Sequence, residues 1–277
     1  MGTSVYTLAL FPKYWGFQLL FLLSYIFHNA EEWDEPYLTL ISFFILIICS
    51  FSKKHGQKAF LSFLTILITD NLLKFPGLAN HSTVMLFIAL VMYIPQLKIC
   101  FHRHVNLEKT ISLLQWIVVT VYFFAGFHKF NTDFLNPITS CAFDKIDTYL
   151  LLFHLTLNDI PSYIKTSAPF LIIAMELGSS LFLILGRTQK AAIISILILH
   201  FVLAPVGFSD FSSLAMGMMF LFIPERFVKL STITYQIRYL TIFVLFMQSI
   251  FAFWRWPNNS EEFYFIEGIV LILLYSY

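Results

Sequence analysis

Charged residues are scarce in this sequence. Asp, Glu, Lys and Arg make up 12% of the 277 residues, whereas hydrophobic residues make up 58% and the mean hydropathy is +0.78. A soluble domain carries about a quarter charged residues. The composition therefore predicts an integral membrane protein whose main partner is the lipid bilayer, in a bacterial cytoplasmic membrane or a eukaryotic endomembrane. A net charge of +1 argues against a nucleic-acid partner, because nucleic-acid binding needs a clustered basic surface.

Cysteine is also rare, and its placement argues against two kinds of site. The three cysteines, Cys49, Cys100 and Cys141, are scattered, with no CxxC pair and no Cys/His cluster at zinc spacing. Neither a redox dithiol nor a structural zinc site is indicated, and we predict no metal. The N-terminal stretch MGTSVYTLALFPKYWG lacks the basic start and small-residue cleavage site of a signal peptide.

Long apolar runs, by contrast, recur from end to end. A membrane-spanning helix needs about 20 mostly apolar residues, so the sequence predicts an all-α, polytopic transmembrane bundle. The eighth and tenth runs are short, and the predicted number of spans is therefore about eight to ten. The candidate spans are residues 14–30, 36–52, 58–74, 81–99, 108–127, 163–186, 190–206, 211–224, 236–255 and 262–277.

The segments between these spans differ in charge from one side to the other. With a cytoplasmic N-terminus, most Lys and Arg residues fall in inner loops and most acidic residues in outer ones, as the positive-inside rule requires. We therefore predict a cytoplasmic N-terminus and a single transmembrane domain over 1–277, without a soluble domain. The longest stretch outside the membrane is 128–162, on the outer side, in which TYLLLFHL (148–155) is a candidate interfacial helix.

Polar and ionisable residues gather near the outer ends of the predicted spans. Such groups are costly in hydrocarbon and normally face a cavity or a partner, so their shared depth favours one outward-opening pocket. Glu176, inside the sixth span, is the exception. The residues at the shared depth are His28, Glu31, Glu32, Asp70, Lys74, Asn80, His81, His128, Lys129, His200 and Asp210.

Three of these polar residues also have a purely structural interpretation. Lys129 can be a lysine that extends its ammonium group to the membrane interface. His200 can be a hydrogen-bonding residue between helices. Glu176 is expected to pair with a neighbouring helix or with Arg187. Composition and spacing leave these alternatives open.

His28, Glu31 and Glu32 have the spacing of residues on one helical face. They are either metal ligands or the polar end of an ordinary helix, and no second His follows at the HExxH spacing. Asn80 is a favoured residue for capping a helix N-terminus. Capping accounts for the Asn but not for His81 beside it.

Three stretches together resemble a known family. LANHSTVMLFIALVM is similar to an Asn-His opening of a membrane helix. VYFFAGFHKFNTDFLNP is similar to an aromatic helix that ends in Ala-Gly, then a Lys, then Asp and an aromatic residue. MELGSSLFLILGRTQKAAIISILILHFVLAPVGFSDFSSLAMGMMFLFIP is similar to an acidic helix, a basic turn, a His-bearing helix and a closing Pro. In this order they resemble the HTTM family, whose membrane domain is shared with vitamin K-dependent gamma-glutamyl carboxylase. The resemblance covers a core of residues 14–224, and the spans predicted at 236–277 are additional to it.

The resemblance implies a reduced quinone, of the vitamin K or menaquinol type, as cofactor. It implies that Lys129 acts as the base on the quinol, that His81 assists the oxygen chemistry, and that His200 lies in a corresponding helix. We take these three as the candidate catalytic residues. The residues predicted to contact the substrate are His128, Asp133, Asn80, Glu176 and Asp210.

The sequence departs from the carboxylase in two ways. The large soluble portion that holds the carboxylase's peptide substrate has no counterpart here, and the family's Lys-Lys pair reads His128-Lys129. We therefore predict a quinol- and oxygen-dependent membrane enzyme that modifies a peptide or small substrate at the outer face. The alternative follows from short members that resemble the sporulation-delaying protein B group. It is a non-catalytic accessory protein for maturation, export or immunity of a secreted peptide. In this alternative, acidic residues of 31–35 bind the basic peptide.

Overall fold

The computed structural model describes residues 5–32, 36–77, 80–136, 140–151, 154–204 and 209–224. Within these ranges the chain consists of helices joined by turns, and no residue there belongs to a strand. The prediction of an all-α protein is confirmed for this part of the chain.

The described residues form ten α-helices: α1 Val5–Glu32, α2 Pro36–Phe51, α3 Lys53–Lys74, α4 Asn80–Cys100, α5 Leu107–His128, α6 Thr132–Leu135, α7 Cys141–Leu151, α8 Ser162–Ile184, α9 Gln189–Leu203 and α10 Ser209–Met219. Each of the eight candidate spans up to residue 224 overlaps one of them, namely α1 to α5 and α8 to α10, and a 3-10 turn at Phe220–Phe222 continues α10. The candidate spans 236–255 and 262–277 lie outside the described residues.

Three of these helices are long and apolar enough to cross a membrane. They are Asn80–Cys100, Leu107–His128 and Ser162–Ile184, that is α4, α5 and α8. Shorter apolar helices cover Leu40–Cys49, Gln189–Leu203 and Phe211–Phe222. The total of eight to ten spans stays a prediction.

The described residues fall into two compact units, those of 5–117 with 217–224 (unit 1) and those of 118–216 (unit 2). In unit 1, α1 packs against α2, α2 against α3, and α3 against α4. Ser52 begins α3 by accepting a hydrogen bond from the backbone N–H of His55, at 3.3 Å. Gly56, in the first turn of α3, lies against α1 and α2. A Cβ at this position would be 2.8 Å from the Trp15 ring and 2.9 Å from Cys49 Cα, so only glycine fits.

Three buried glutamines join α1, α3 and α4 of unit 1 in a closed ring of hydrogen bonds. The Gln18 side-chain amide donates to the Gln96 carbonyl oxygen, Gln96 donates to Gln57 at 2.7 Å, and Gln57 donates to Gln18 at 3.4 Å. All three are at least nine-tenths buried. Because each amide both donates and accepts, the ring satisfies itself and fixes how the three helices face one another.

Unit 2 is built on α8. Helix α9 packs against it across a short turn, and α6 and α7, which precede α8 in the chain, also pack against it. Phe134 of α6, Ala142 of α7 and Ile173 of α8 form a small buried cluster there. The candidate helix at 148–155 overlaps an observed helix at residues 148–151, since α7 begins at Cys141 and ends at Leu151. His154, just beyond it, has a left-handed φ of 57°, which no α-helix continues through.

Replacing Gln96 with Ala should destabilise the protein by about 1–3 kcal/mol, because Gln18 and Gln57 would keep buried amide groups without their partner. Denaturant or thermal unfolding of the purified protein in detergent measures the change. Lys98→Ala, at an exposed position on the same helix, is the matched control and should leave the unfolding midpoint nearly unchanged. Equal shifts for both variants would contradict the role of the ring.

Candidate functional site

Lys129 and Glu176 form a close ion pair in unit 2. Lys129 directly follows α5, and its Nζ donates hydrogen bonds to both Glu176 carboxylate oxygens, each at 2.7 Å. Glu176 lies inside α8, with 8% of its side chain exposed against 30% for Lys129. Of the two partners expected for Glu176, the neighbouring helix end is the observed one and Arg187 is not. A lysine that only extends to the membrane interface needs no protein partner, whereas the Lys129 ammonium is bonded to this carboxylate.

A glycine makes this pairing possible. A Cβ on Gly126 would lie 2.7 Å from Leu177 Cγ, 3.0 Å from Leu177 N and 3.1 Å from Glu176 Cβ. The last turn of α5 therefore touches the backbone of α8 at the residues that carry the carboxylate. At a normal interaxial distance of about 8–10 Å, a lysine just beyond α5 would have further to reach.

The chain after Lys129 folds back beside it. Asn131 accepts a hydrogen bond from the Phe134 backbone N–H at 2.8 Å, which starts the single turn of α6. This turn places the Phe134 ring centroid 5.9 Å from the Lys129 Nζ, within the range of a cation–π contact. The ammonium therefore has a carboxylate and an aromatic ring as neighbours.

His200 is buried in unit 2 and joins three helices. Its Nε2 is 2.7 Å from the Tyr122 hydroxyl of α5, and its Nδ1 is 3.1 Å from the Ser212 hydroxyl of α10. Its ring also contacts Phe211 at 5.4 Å between centroids. The expected helix-to-helix hydrogen bonding of His200 is therefore observed, and both ring nitrogens take part in it.

His81 lies in unit 1, at the start of α4, where it meets His28 of α1. The two ring centroids are 4.7 Å apart at an angle of 74°. The His28 Nε2 is 3.2 Å from the Ser82 hydroxyl, and 7% of His28 is exposed. The sequence pattern placed His28 with Glu31 and Glu32 on one helical face; the structure places its ring beside Tyr25 of the same helix and beside His81 and Ser82 of α4.

The other predicted contact residues lie at exposed or undescribed positions. His128 is exposed, with its ring near Phe124 and Phe127 at 6.1 and 6.4 Å between centroids. Asp133 is exposed on α6, and Asn80 is exposed at the first residue of α4. Asp210 belongs to α10, and its side chain lies outside what the structure describes.

Three residues of unit 2 escaped the sequence prediction, namely Tyr122, Gly126 and Ser212. Tyr122, Gly126 and Lys129 are spaced by four and three residues, which puts them on one face of α5. This spacing was a usable signal. The sequence prediction rested on ionisable groups at the span ends, whereas Gly126 is not ionisable and Tyr122 lies within a span.

No protein-family model, no curated protein and no solved structure matches this chain. Among the described residues, no three His, Cys, Asp or Glu side chains come together in a way that could hold a metal ion.

Gly126→Ala should lower the thermal stability of the protein in detergent and break the Lys129–Glu176 contact, because the new methyl group would overlap Leu177. We expect a destabilisation of about 1–3 kcal/mol. The matched control is Gly178→Ala on α8, where an added Cβ meets nothing within 4 Å and should stabilise the helix by up to about 1 kcal/mol. A Gly126→Ala protein as stable as the Gly178→Ala protein would show that α5 and α8 are less tightly packed.

Proposed function

We propose that this chain is a polytopic integral membrane protein with eight to ten spans and a cytoplasmic N-terminus. Its three long apolar helices support this, as does the distribution of Lys and Arg between the predicted loops. Large apolar side chains on these helices are exposed, among them Phe87, Phe170 and Leu171 at 55–60%. Lipid is the solvent in which such a surface is stable.

We further propose that the Lys129–Glu176 pair is the proton-accepting site of a quinol- and oxygen-dependent enzyme of the HTTM type. The observation that carries this proposal is the pair itself, a lysine and a mostly buried carboxylate in contact at 2.7 Å. An ionisable pair inside a membrane protein is expensive to maintain and commonly marks a proton pathway. The resemblance in sequence independently selects Lys129 as the base.

The pair can produce a base without an outside proton acceptor. Lys129 passes one proton to Glu176 along an existing hydrogen bond, which leaves a neutral amine beside a neutral carboxylic acid. Low dielectric penalises the two charges, so the neutral form lies closer in free energy here than it would in water. The amine then takes the hydroxyl proton of a bound substrate and becomes an ammonium again.

The residues around Lys129 fit a reduced quinone. Such a ligand has a flat apolar ring with a hydroxyl at its edge, and it needs apolar surface next to a polar contact. Phe127 and Phe130 flank Lys129 in sequence and are exposed, at 58% and 68%. A bound quinol supplies an acidic hydroxyl and the electrons for oxygen. The same proposal includes a peptide or small substrate at the outer face. It also includes the role in oxygen chemistry that the resemblance implies for His81.

Lys129→Gln and Glu176→Gln should each lower quinol-dependent oxygen consumption by about 10²-fold or more, because each removes one member of the proton-accepting pair. The assay uses purified protein with menaquinol or vitamin K hydroquinone. Lys165→Gln, in the first turn of α8, is the control and should keep wild-type activity. Exchanging the two residues, Lys129→Glu with Glu176→Lys, should preserve the ion pair and the fold but not the activity.

Two results would count against this function. Full oxygen uptake by Lys129→Gln would remove the base from the proposal. No uptake by the wild-type protein with either quinol would contradict a quinol-oxidising enzyme and leave the accessory role in handling a secreted peptide as the better account.

A further inference from the structure

The Lys129 ammonium has two neighbours that are anchored on one stretch of α8. Its Nζ bonds to Glu176 at 2.7 Å and lies over the Phe134 ring, 5.9 Å from the centroid. Phe134 is 7% exposed and belongs to a buried cluster with Ile173, against which Leu177 packs. Because Glu176 lies between these two residues on α8, the carboxylate and the ring are held in place together.

Asn131 ties the turn that joins the lysine to this ring. Its side-chain amide donates a hydrogen bond to the carbonyl of His128, the last residue of α5, and its side-chain oxygen accepts one from the backbone N–H of Phe134 at 2.8 Å. Its own backbone N–H donates to the Lys129 carbonyl at 2.8 Å. These bonds and the buried cluster oppose any movement of the ring away from the ammonium.

The charges on the ion pair change during the proposed reaction. Lys129 first gives a proton to Glu176, and the neutral amine then takes the hydroxyl proton of the substrate. At that point Lys129 is an ammonium again, Glu176 is a neutral acid and the substrate is an anion. The ammonium has lost the negative charge of the carboxylate, while the Phe134 ring, whose face attracts cations, stays beside it.

We infer that Phe134 stabilises the positive charge that Lys129 acquires from the substrate, and that Asn131 is the positioning residue that holds this ring in place. The catalytic part of the inference rests on the proposed function. In the resting ion pair the carboxylate already balances the ammonium, so the ring contributes most after the substrate proton has moved. An interaction that strengthens as charge develops lowers the barrier to the reaction.

Two substitutions of Phe134 separate a role in packing from a role in stabilising charge. Phe134→Leu keeps an apolar side chain in the cluster but removes the ring, whereas Phe134→Tyr keeps the ring. Phe182→Leu is the matched control, because Phe182 is a phenylalanine of α8 that is 44% exposed. Thermal unfolding in detergent is measured first, and all variants are then compared at a temperature at which each is folded.

The first measurement needs no quinol. Lys129 is labelled with a water-soluble acylating reagent, which reacts with the neutral amine, and its labelling rate is divided by that of Lys165 in the same protein. Phe134→Leu should raise this ratio at least about threefold, within the range of a cation–π contact, whereas Phe134→Tyr and Phe182→Leu should change it by less than about twofold. An unchanged ratio in Phe134→Leu, or an equal rise in Phe134→Tyr, overturns the inference.

The same comparison in a Glu176→Gln background imitates the step at which the carboxylate has become neutral. The ring is then the main electrostatic partner of the ammonium. Phe134→Leu should therefore raise the labelling ratio by a larger factor than it does with Glu176 present. An equal or smaller factor would show that the ring does not take over from the carboxylate.

In the oxygen-consumption assay, Phe134→Leu should lower kcat by about tenfold with little change in KM, since the ring acts on a charge that develops during the reaction. Phe134→Tyr should restore most of the activity, and Phe182→Leu should keep wild-type activity. A wild-type kcat in Phe134→Leu would overturn the catalytic part. The expected labelling without any oxygen uptake by the wild-type protein would support the role of the ring and reject the proposed function.

Asn131→Ala tests the positioning role separately. Without the side-chain bonds to His128 and Phe134, the ring is held less firmly, and the labelling ratio of Lys129 should rise in the same direction as in Phe134→Leu. A wild-type ratio in Asn131→Ala would remove Asn131 from the inference.

Discussion

The contact between Lys129 and Glu176 sets the conditions for the rest of unit 2. A charge inside a hydrophobic bundle is tolerated only when its partner is close and well oriented, so α5 and α8 must meet within hydrogen-bonding distance of these side chains. Gly126 permits that approach, and the aromatic ring of Phe134 covers the ammonium. The segment that follows the lysine also stays close to α8, since α6 begins at Thr132, three residues after Lys129, and packs against α8.

The two units bury polarity in different ways. In unit 1 the amides of Gln18, Gln57 and Gln96 bond to each other in a ring that is neutral and complete, which suits a structural role. In unit 2 the buried polar groups are titratable: the Lys129–Glu176 ion pair, and His200 between the hydroxyls of Tyr122 and Ser212. A closed amide ring cannot transfer a proton without breaking, whereas an imidazole between two hydroxyls can change tautomer and keep both bonds. This chemical difference distinguishes the polar groups of unit 2 from the amide ring of unit 1.

The helices were predictable from the sequence because apolar runs are local, and each of the eight runs up to residue 224 coincides with a helix. Lys129 was predictable as a polar residue at the end of such a run. Glu176 was predictable as a residue that pairs with a neighbouring helix, but its pairing with Lys129 was not, because the two residues are 47 positions apart and meet only through close packing at Gly126. Tyr122 was marked only by its helical spacing from Lys129, and Ser212, a neutral residue among apolar neighbours, carries no signal in the sequence. Long-range contacts of this kind depend on side-chain packing, which no local pattern encodes.

The position of Glu176 along α8 changes which molecules can reach the pair. Glu176 is the fifteenth of the 23 residues of α8, so about 21 Å of this helix lies between its first residue and the carboxylate. Exposed apolar side chains, Phe170 and Leu171 among them, occupy that half. In the proposed membrane-spanning arrangement, a bilayer that covers these side chains places the pair below the membrane surface. The proposed function then implies that a ligand enters laterally from the acyl chains and is selected first by its partition into hydrocarbon.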